Sequence, residues 1–262
     1  MSGKLENIEK MMKSKLEGTE FSDYVCEELW DYIWMSGFRV EVAALLSLKP
    51  GDKVLDVGCG DGWFAIQNAL KYPKVNFVGI DLFEADEAKR IAELLGVRNC
   101  KFYKVDALKM SFSEKFDHVV LFMALGNICE SLNDLKKLFE NCWRALKSGG
   151  KLLIVEPFEE DFPAEVRDIV KRLYKLYKDL GKSQGEDKET ILSRKATLTT
   201  LKKTGFRIFN LGSREFDWYV SKDEAKEYFR LDELPLDMPD IIWVHDIPKR
   251  VTIILAMKEG TF

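Results

Sequence analysis

The segment Asp56-Val57-Gly58-Cys59-Gly60-Asp61-Gly62 sets three glycines at alternate positions, the first of them two residues after a carboxylate. Glycine allows a sharp turn and lets the backbone approach a ligand where a Cβ would collide. Asp81 and Asp106 follow. A carboxylate about 20 residues beyond such a turn can accept both hydroxyls of a ribose. Groups able to move a proton are few. His245, beside Asp246, titrates nearest neutrality, and Glu156 ends an apolar run, so these two are the candidate general bases. Cys26, Cys59, Cys100, Cys129 and Cys142 are scattered, with no Cys-x-x-Cys pair and only two histidines. That spacing offers neither a zinc site nor a disulfide framework, and no metal is expected.

The elements around these residues alternate. Val54-Leu55-Asp56-Val57 is too short for a helix and reads as a buried strand, while Ala65 to Leu70 has helical character. The glycine turn therefore joins a strand's carboxyl end to a helix N-terminus. Val75 to Asp81 reads as a second strand, Glu84 to Leu95 as a helix closed by Gly96, and Cys100 to Val105 as a third strand. Phe116 to Met123 is a near-continuous apolar run, typical of a parallel strand buried on both faces. Ser131 to Leu146 reads as a helix capped by Ser131 with Asp134, its apolar face carrying Leu132, Leu135, Leu138, Phe139, Cys142 and Leu146. Lys151 to Pro157, Phe206 to Leu211 and Val251 to Met257 read as later strands, with a short helix from Ala196 to Thr204. This alternation predicts an α/β fold with a doubly wound, mostly parallel sheet whose ligands lie at the strands' carboxyl ends. Asp56, Asp81 and Asp106 then end three successive strands, and His118, at the start of its strand, is structural.

Outside that rhythm, residues 1–20 are polar and predict a loosely packed or frayed helix. Aromatics crowd from Phe21 to Phe38, and a second helix is expected from Val40 to Leu48, ended by Lys49-Pro50-Gly51-Asp52. Helices are also expected from Phe162 to Leu180 and from Ser221 to about Leu231.

Several nucleotides use glycine turns, and spacing separates them. The dinucleotide fingerprint needs a glycine where Trp63 stands, and no Gly-Lys-Ser/Thr of a phosphate loop follows. Asp56-x-Gly58-x-Gly60-x-Gly62 instead resembles motif I of the class I S-adenosylmethionine-dependent methyltransferases. Leu-Lys-Ser-Gly-Gly-Lys-Leu-Leu-Ile before and within strand five, and Leu-Lys-Lys-Thr-Gly-Phe before strand six, resemble the same family. The resemblance covers roughly residues 40 to 258. It implies a seven-stranded Rossmann-like sheet whose last strand runs antiparallel between strands five and six. It also implies S-adenosyl-L-methionine as cofactor, with Asp56, Gly58, Cys59 and Gly60 around the methionine half. Asp81 and Leu82 would serve the ribose, Asp106 and Ala107 the adenine, and Phe122 would join them.

The composition narrows the substrate. Of 262 residues, 46% are hydrophobic, enough for one large domain, and the net charge of −4 argues against a chain built to hold nucleic acid. Leu125-Gly126-Asn127-Ile128-Cys129 stands where base-amino methylases of the family carry Asn-Pro-Pro-Tyr. The longest apolar run, Val119 to Leu125, is too short to span a bilayer, and residues 1–18 lack the apolar core of a signal peptide, so a cytoplasmic setting is expected. The organisation expected is an N-terminal helical lid over 1–39 and a methyltransferase domain over 40–258, with cap insertions at about 157–195 and 213–248. Tyr24, Trp30, Trp34, Asn127, Trp218, Tyr219 and Trp243 are the candidate walls of a site for a small-molecule methyl acceptor. Transfer of another group, such as aminopropyl, from a related sulfonium would use the same cofactor pocket. A non-catalytic cofactor-binding subunit is a further alternative. The oligomeric state is open.

Overall fold

The computed structural model describes residues 2–22, 30–162, 192–215, 220–221, 241–242 and 250–259. Its centre is a seven-stranded sheet in the order β3-β2-β1-β4-β5-β9-β6. Those strands are β1 (Lys53–Val57), β2 (Asn76–Asp81), β3 (Cys100–Lys104), β4 (Phe116–Phe122), β5 (Leu146–Glu156), β6 (Phe206–Glu215) and β9 (Arg250–Lys258). The first five run parallel, and β9 lies antiparallel between β5 and β6. A separate two-stranded ladder pairs β7 (Val220–Ser221) with β8 (Ile241–Ile242). The chain builds outward from β1 to β3 and then crosses back to β4, so the order reverses between β1 and β4. That reversal opens a crevice at the carboxyl ends of these strands.

The apolar strands alternate between two cores. Val54, Val120, Leu153 and Val155 face one side; Leu55, Val119, Leu121, Leu152 and Ile154 face the other. The first core is closed by α1 (Ser2–Leu16), α2 (Trp30–Ala44), α3 (Trp63–Lys71) and α4 (Ala85–Leu95). The second is closed by α5 (Leu125–Ile128), α6 (Leu132–Ala145) and α7 (Arg194–Lys203). The Ser131 hydroxyl accepts from the Asp134 amide to open α6, and Gly96, with φ 74, ends α4.

Several expectations are corrected. α1 is not loose: Ile8, Met12 and Leu16 form a narrow stripe at four-residue spacing, Met12 and Leu16 fully buried, and Lys15 Nζ donates to the Leu95 carbonyl. The helix expected from Val40 to Leu48 begins earlier and ends earlier, as the C-terminal part of α2, which runs from Trp30 to Ala44. Nothing breaks it between Phe38 and Val42, which both enter the first core. Leu132 does not join the apolar face of α6; it stands 62% exposed at the first turn. Leu146 belongs to β5, whose register on β4 jumps from Leu146 opposite Phe116 to Lys151 opposite His118. The Gly149-Gly150 turn is therefore a looped-out interruption within one strand. His118 is buried, with Nε2 3.2 Å from Asp52 at the amino edge of the sheet, consistent with a structural role. The helices expected beyond Phe162 and beyond Ser221 lie outside the described residues, as does most of both cap insertions. Among the described residues no helix is long and apolar enough to cross a membrane.

Candidate functional site

A cleft of about 530 Å³ lies over the β1–β4 reversal, a volume in the range of small-molecule sites. Asp56, Gly58, Cys59, Gly60, Asp81, Leu82, Asp106, Ala107, Phe122 and Asn127 all line it. Residues spread over some seventy positions thus converge because each follows or ends a strand of one parallel sheet.

The glycine turn is built by three left-handed residues, with φ 68 at Gly58, 51 at Gly60 and 86 at Gly62. Their reasons differ. A Cβ on Gly58 would lie 2.8 Å from Ala124 Cβ, and one on Gly62 would lie 2.7 Å from Phe102 Cζ. Those two glycines are needed by protein packing, against the segment after β4 and against β3, and not by the approach of a ligand alone. A Cβ on Gly60 would meet only the Glu84 carboxylate, 3.0 Å away on the cleft side.

Asp81 holds this turn. Its Oδ2 accepts from the Gly60 amide at 3.0 Å, and its Oδ1 accepts from Phe83 at 2.9 Å and Glu84 at 3.1 Å. An ionised carboxylate has about four acceptor positions, so three backbone bonds leave room for a ligand hydroxyl. Asp106 is arranged similarly at the far wall: Oδ1 accepts from the Leu108 amide at 2.9 Å, and Lys109 Nζ lies 2.9 Å from Oδ2. Partial burial would raise its pKa, but Lys109 and the Leu108 amide hold it below the usual carboxylate range.

Asp56 lies at the opposite end, 1% exposed, and its Oδ2 has no hydrogen-bond partner. Burial and the neighbouring Asp81 push its pKa up to about 7, against a hydrogen bond from the Ala65 amide and the charge of Arg39. A buried carboxylate oxygen left without a donor is costly, and a cationic amino group in the cleft would satisfy it. Asp61, in the same turn, is pushed to about 6 by burial, opposed by Arg39 and by hydrogen bonds from Trp63. Burial also pushes the Cys59 thiol well up, so that it is no thiolate nucleophile at neutral pH.

Arg39 and Asp61 were missed by sequence reasoning. Arg39 sits on α2, far from any motif, and reaches the cleft with its guanidinium 5.9 Å from the Phe122 ring centroid. Phe122 stacks on Phe64 at 5.6 Å and tilts against Phe38 at 5.8 Å, giving that wall an aromatic surface. Asp61 was legible within the glycine segment, but its half-buried place beside Arg39 was not.

Glu156 does not stand open over the sheet edge as a base would. It is buried, and its carboxylate accepts from the amides of Ala124, Leu125 and Gly126 at the start of α5. His245, Tyr24, Trp218, Tyr219 and Trp243 lie outside the described residues. Trp30 and Trp34 fall within α2, but only their backbone is described.

The chain matches the family model described as a methyltransferase domain over residues 48–225. It is 27% identical over 194 residues to an uncharacterized protein of Methanocaldococcus jannaschii, covering 72% of this chain and 82% of that one. It is 31% identical over 124 residues to demethylmenaquinone methyltransferase of Bacillus cytotoxicus, covering 45% and 50%. A ribosomal RNA small subunit methyltransferase G of Porphyromonas gingivalis is 32% identical over 127 residues, covering 45% and 57%. The match thus spans only about half the length of these last two relatives. Among solved structures, an S-adenosylmethionine-dependent methyltransferase of Methanosarcina mazei superposes with a TM-score of 0.56 at 21% identity, covering 84% of this chain and 98% of that one. Geranyl diphosphate C-methyltransferase of Streptomyces coelicolor, in complex with S-adenosyl-L-homocysteine, superposes with a TM-score of 0.59 at 14% identity, covering 87% and 77%.

Proposed function

Because the chain belongs to the class I S-adenosylmethionine-dependent methyltransferases, we propose that it methylates a small-molecule acceptor, with the cofactor lying along the β1–β4 cleft. Bound there, S-adenosylmethionine supplies a methyl group already activated on a sulfonium. Asp56 faces the amino group, Arg39 the carboxylate, Asp81 the ribose and Asp106 the adenine. The protein's work is then to align the acceptor and exclude water, which demands no dedicated acid or base. The observation that carries the cofactor assignment is the buried, unpartnered Oδ2 of Asp56 at one end of a cleft that has Asp81 at its centre.

The acceptor class follows from charge. Among the described lining residues, Asp56, Asp61, Asp81, Glu84, Asp106 and Glu130 stand against Arg39 alone. A polyanion such as RNA gains affinity by placing phosphates on lysine and arginine, and a cleft lined mainly by carboxylates opposes this. A small neutral or cationic acceptor meets no such barrier, and the aromatic wall of Phe64 and Phe122 would favour it by about 0.5–2 kcal/mol if cationic. Titration with S-adenosylmethionine, its decarboxylated form and NAD tests the cofactor assignment. Tightest binding of the first supports it. Tightest binding of the decarboxylated form would indicate aminopropyl transfer.

A further inference from the structure

We infer that Glu156 is a positioning residue for the glycine turn, acting through the backbone that follows β4. Its Oε2 accepts from Ala124 at 3.0 Å and Leu125 at 3.1 Å, and its Oε1 accepts from Gly126 at 3.2 Å. The opening amides of a helix have no partner within it, and α5 is a single turn, so this carboxylate supplies what the helix cannot. Immediately before these amides stands Met123, with φ 51. A side chain with a Cβ holds that left-handed conformation only where its surroundings over-determine it. The Met123 amide donates to the Val155 carbonyl at 2.7 Å, so β5 grips the kink from both sides.

The kink reaches the cofactor turn directly. Met123 and Ala124 line the cleft. Ala124 Cβ and Ile128 Cδ1 fill the space that a Gly58 Cβ would take, at 2.8 and 3.0 Å from it. Glu156 thus fixes three amides, the amides fix Ala124 and Ile128, and these press on Gly58. Without the carboxylate, Met123 relaxes toward ordinary backbone and the wall withdraws from the turn. Glu156 lies beneath the cleft and needs no contact with either reactant. The functional consequence rests on the cofactor reading above; the mechanical coupling does not.

Glu156→Gln keeps the size of the side chain but replaces an acceptor oxygen with a donor, so all three amides cannot be satisfied. In the ligand-free protein, hydrogen exchange should show protection at Ala124–Gly126 and at Gly58–Gly60 falling together by about tenfold or more, while β3 and α4 keep theirs. S-adenosylmethionine should bind about tenfold more weakly, and adding Met123→Gly, which accepts positive φ without strain, should recover part of that loss. Unchanged exchange at Gly58–Gly60 in Glu156→Gln overturns the coupling. So does a double variant that binds no more tightly than Glu156→Gln. If Glu156→Gln does not fold, Ile128→Ala, which opens the contact with Gly58 from its other end, is read by the same exchange experiment. Failure of the unaltered protein to bind S-adenosylmethionine would defeat the cofactor reading, with the exchange result still deciding the coupling.

Discussion

Gly60 donates its backbone amide to Oδ2 of Asp81 across 3.0 Å, so the turn after β1 and the carboxylate ending β2 form one hydrogen-bonded unit. Asp81 therefore has two duties under this account, shaping the turn and accepting the ribose. Asp81→Ala should weaken S-adenosylmethionine binding by about 1.5–3 kcal/mol through the loss of charge-assisted hydrogen bonds. It should also lower the melting temperature, because the Gly60, Phe83 and Glu84 amides lose their acceptor. Calorimetric titration and a melting curve on the same variant check both. Unchanged affinity would remove the ribose assignment.

Asp56 makes the cleft pH-sensitive. Its pKa is raised from 3.8 to about 7, so between those values the folded chain holds a proton that the unfolded chain has released. Stability from this group is complete below 3.8 and is lost as pH rises through 7. Asp56→Asn should therefore gain stability relative to the unaltered protein as pH rises from 5 to 8. Cofactor affinity should move the other way. A cationic amino group favours the carboxylate, so binding should tighten by about tenfold between pH 6 and 8 and lose most of that dependence in Asp56→Asn. Affinity that is flat with pH in the unaltered protein would separate Asp56 from the ligand.

Arg39 opposes the rise in both Asp56 and Asp61. Arg39→Gln should move the midpoint of that pH dependence upward and weaken binding at every pH, by about 1.5–3 kcal/mol if the guanidinium meets the cofactor carboxylate. A pH series of titrations reads both effects, and a midpoint that moves down would contradict the placement.

The glycines should separate by what surrounds them. Gly62→Ala meets Phe102 and Ala88 at 2.7 and 2.8 Å and carries φ 86, so strain and overpacking together should cost about 2–4 kcal/mol. Gly149→Ala has φ 72 but nothing within 4 Å, and should cost about 1–2 kcal/mol. Chemical denaturation of the two variants gives the comparison. Equal losses would mean that packing against β3 contributes nothing.

The sheet and much of the cleft were legible because they rest on local patterns. The short Val-rich run before Gly58, the unbroken Val119-Val120-Leu121 run and the carboxylates at strand ends each report their place through a period or an abrupt change of residue type. Arg39 was not legible, since its role depends on where α2 crosses the sheet, and no spacing encodes that crossing. Glu156 misled for a related reason. Its position at a strand end was read correctly, but whether a carboxylate there faces the cleft or the amides of α5 depends on the kink at Met123. The burial of Met12 and Leu16 was hidden by their polar neighbours, because three apolar residues at four-residue spacing suffice to seat α1.

The measurement that bears most directly on the whole account is transfer of a labelled methyl group from S-adenosylmethionine by the purified chain. A metabolite extract passed through a small-pore filter is supplied in one reaction and total RNA in another, with mass identification of the labelled product. With S-adenosylmethionine held below its dissociation constant, the account predicts label in a compound of the filtered extract, none in RNA, and labelling lowered by about tenfold or more in Asp81→Ala. Label confined to RNA, or undiminished labelling in Asp81→Ala, would contradict it.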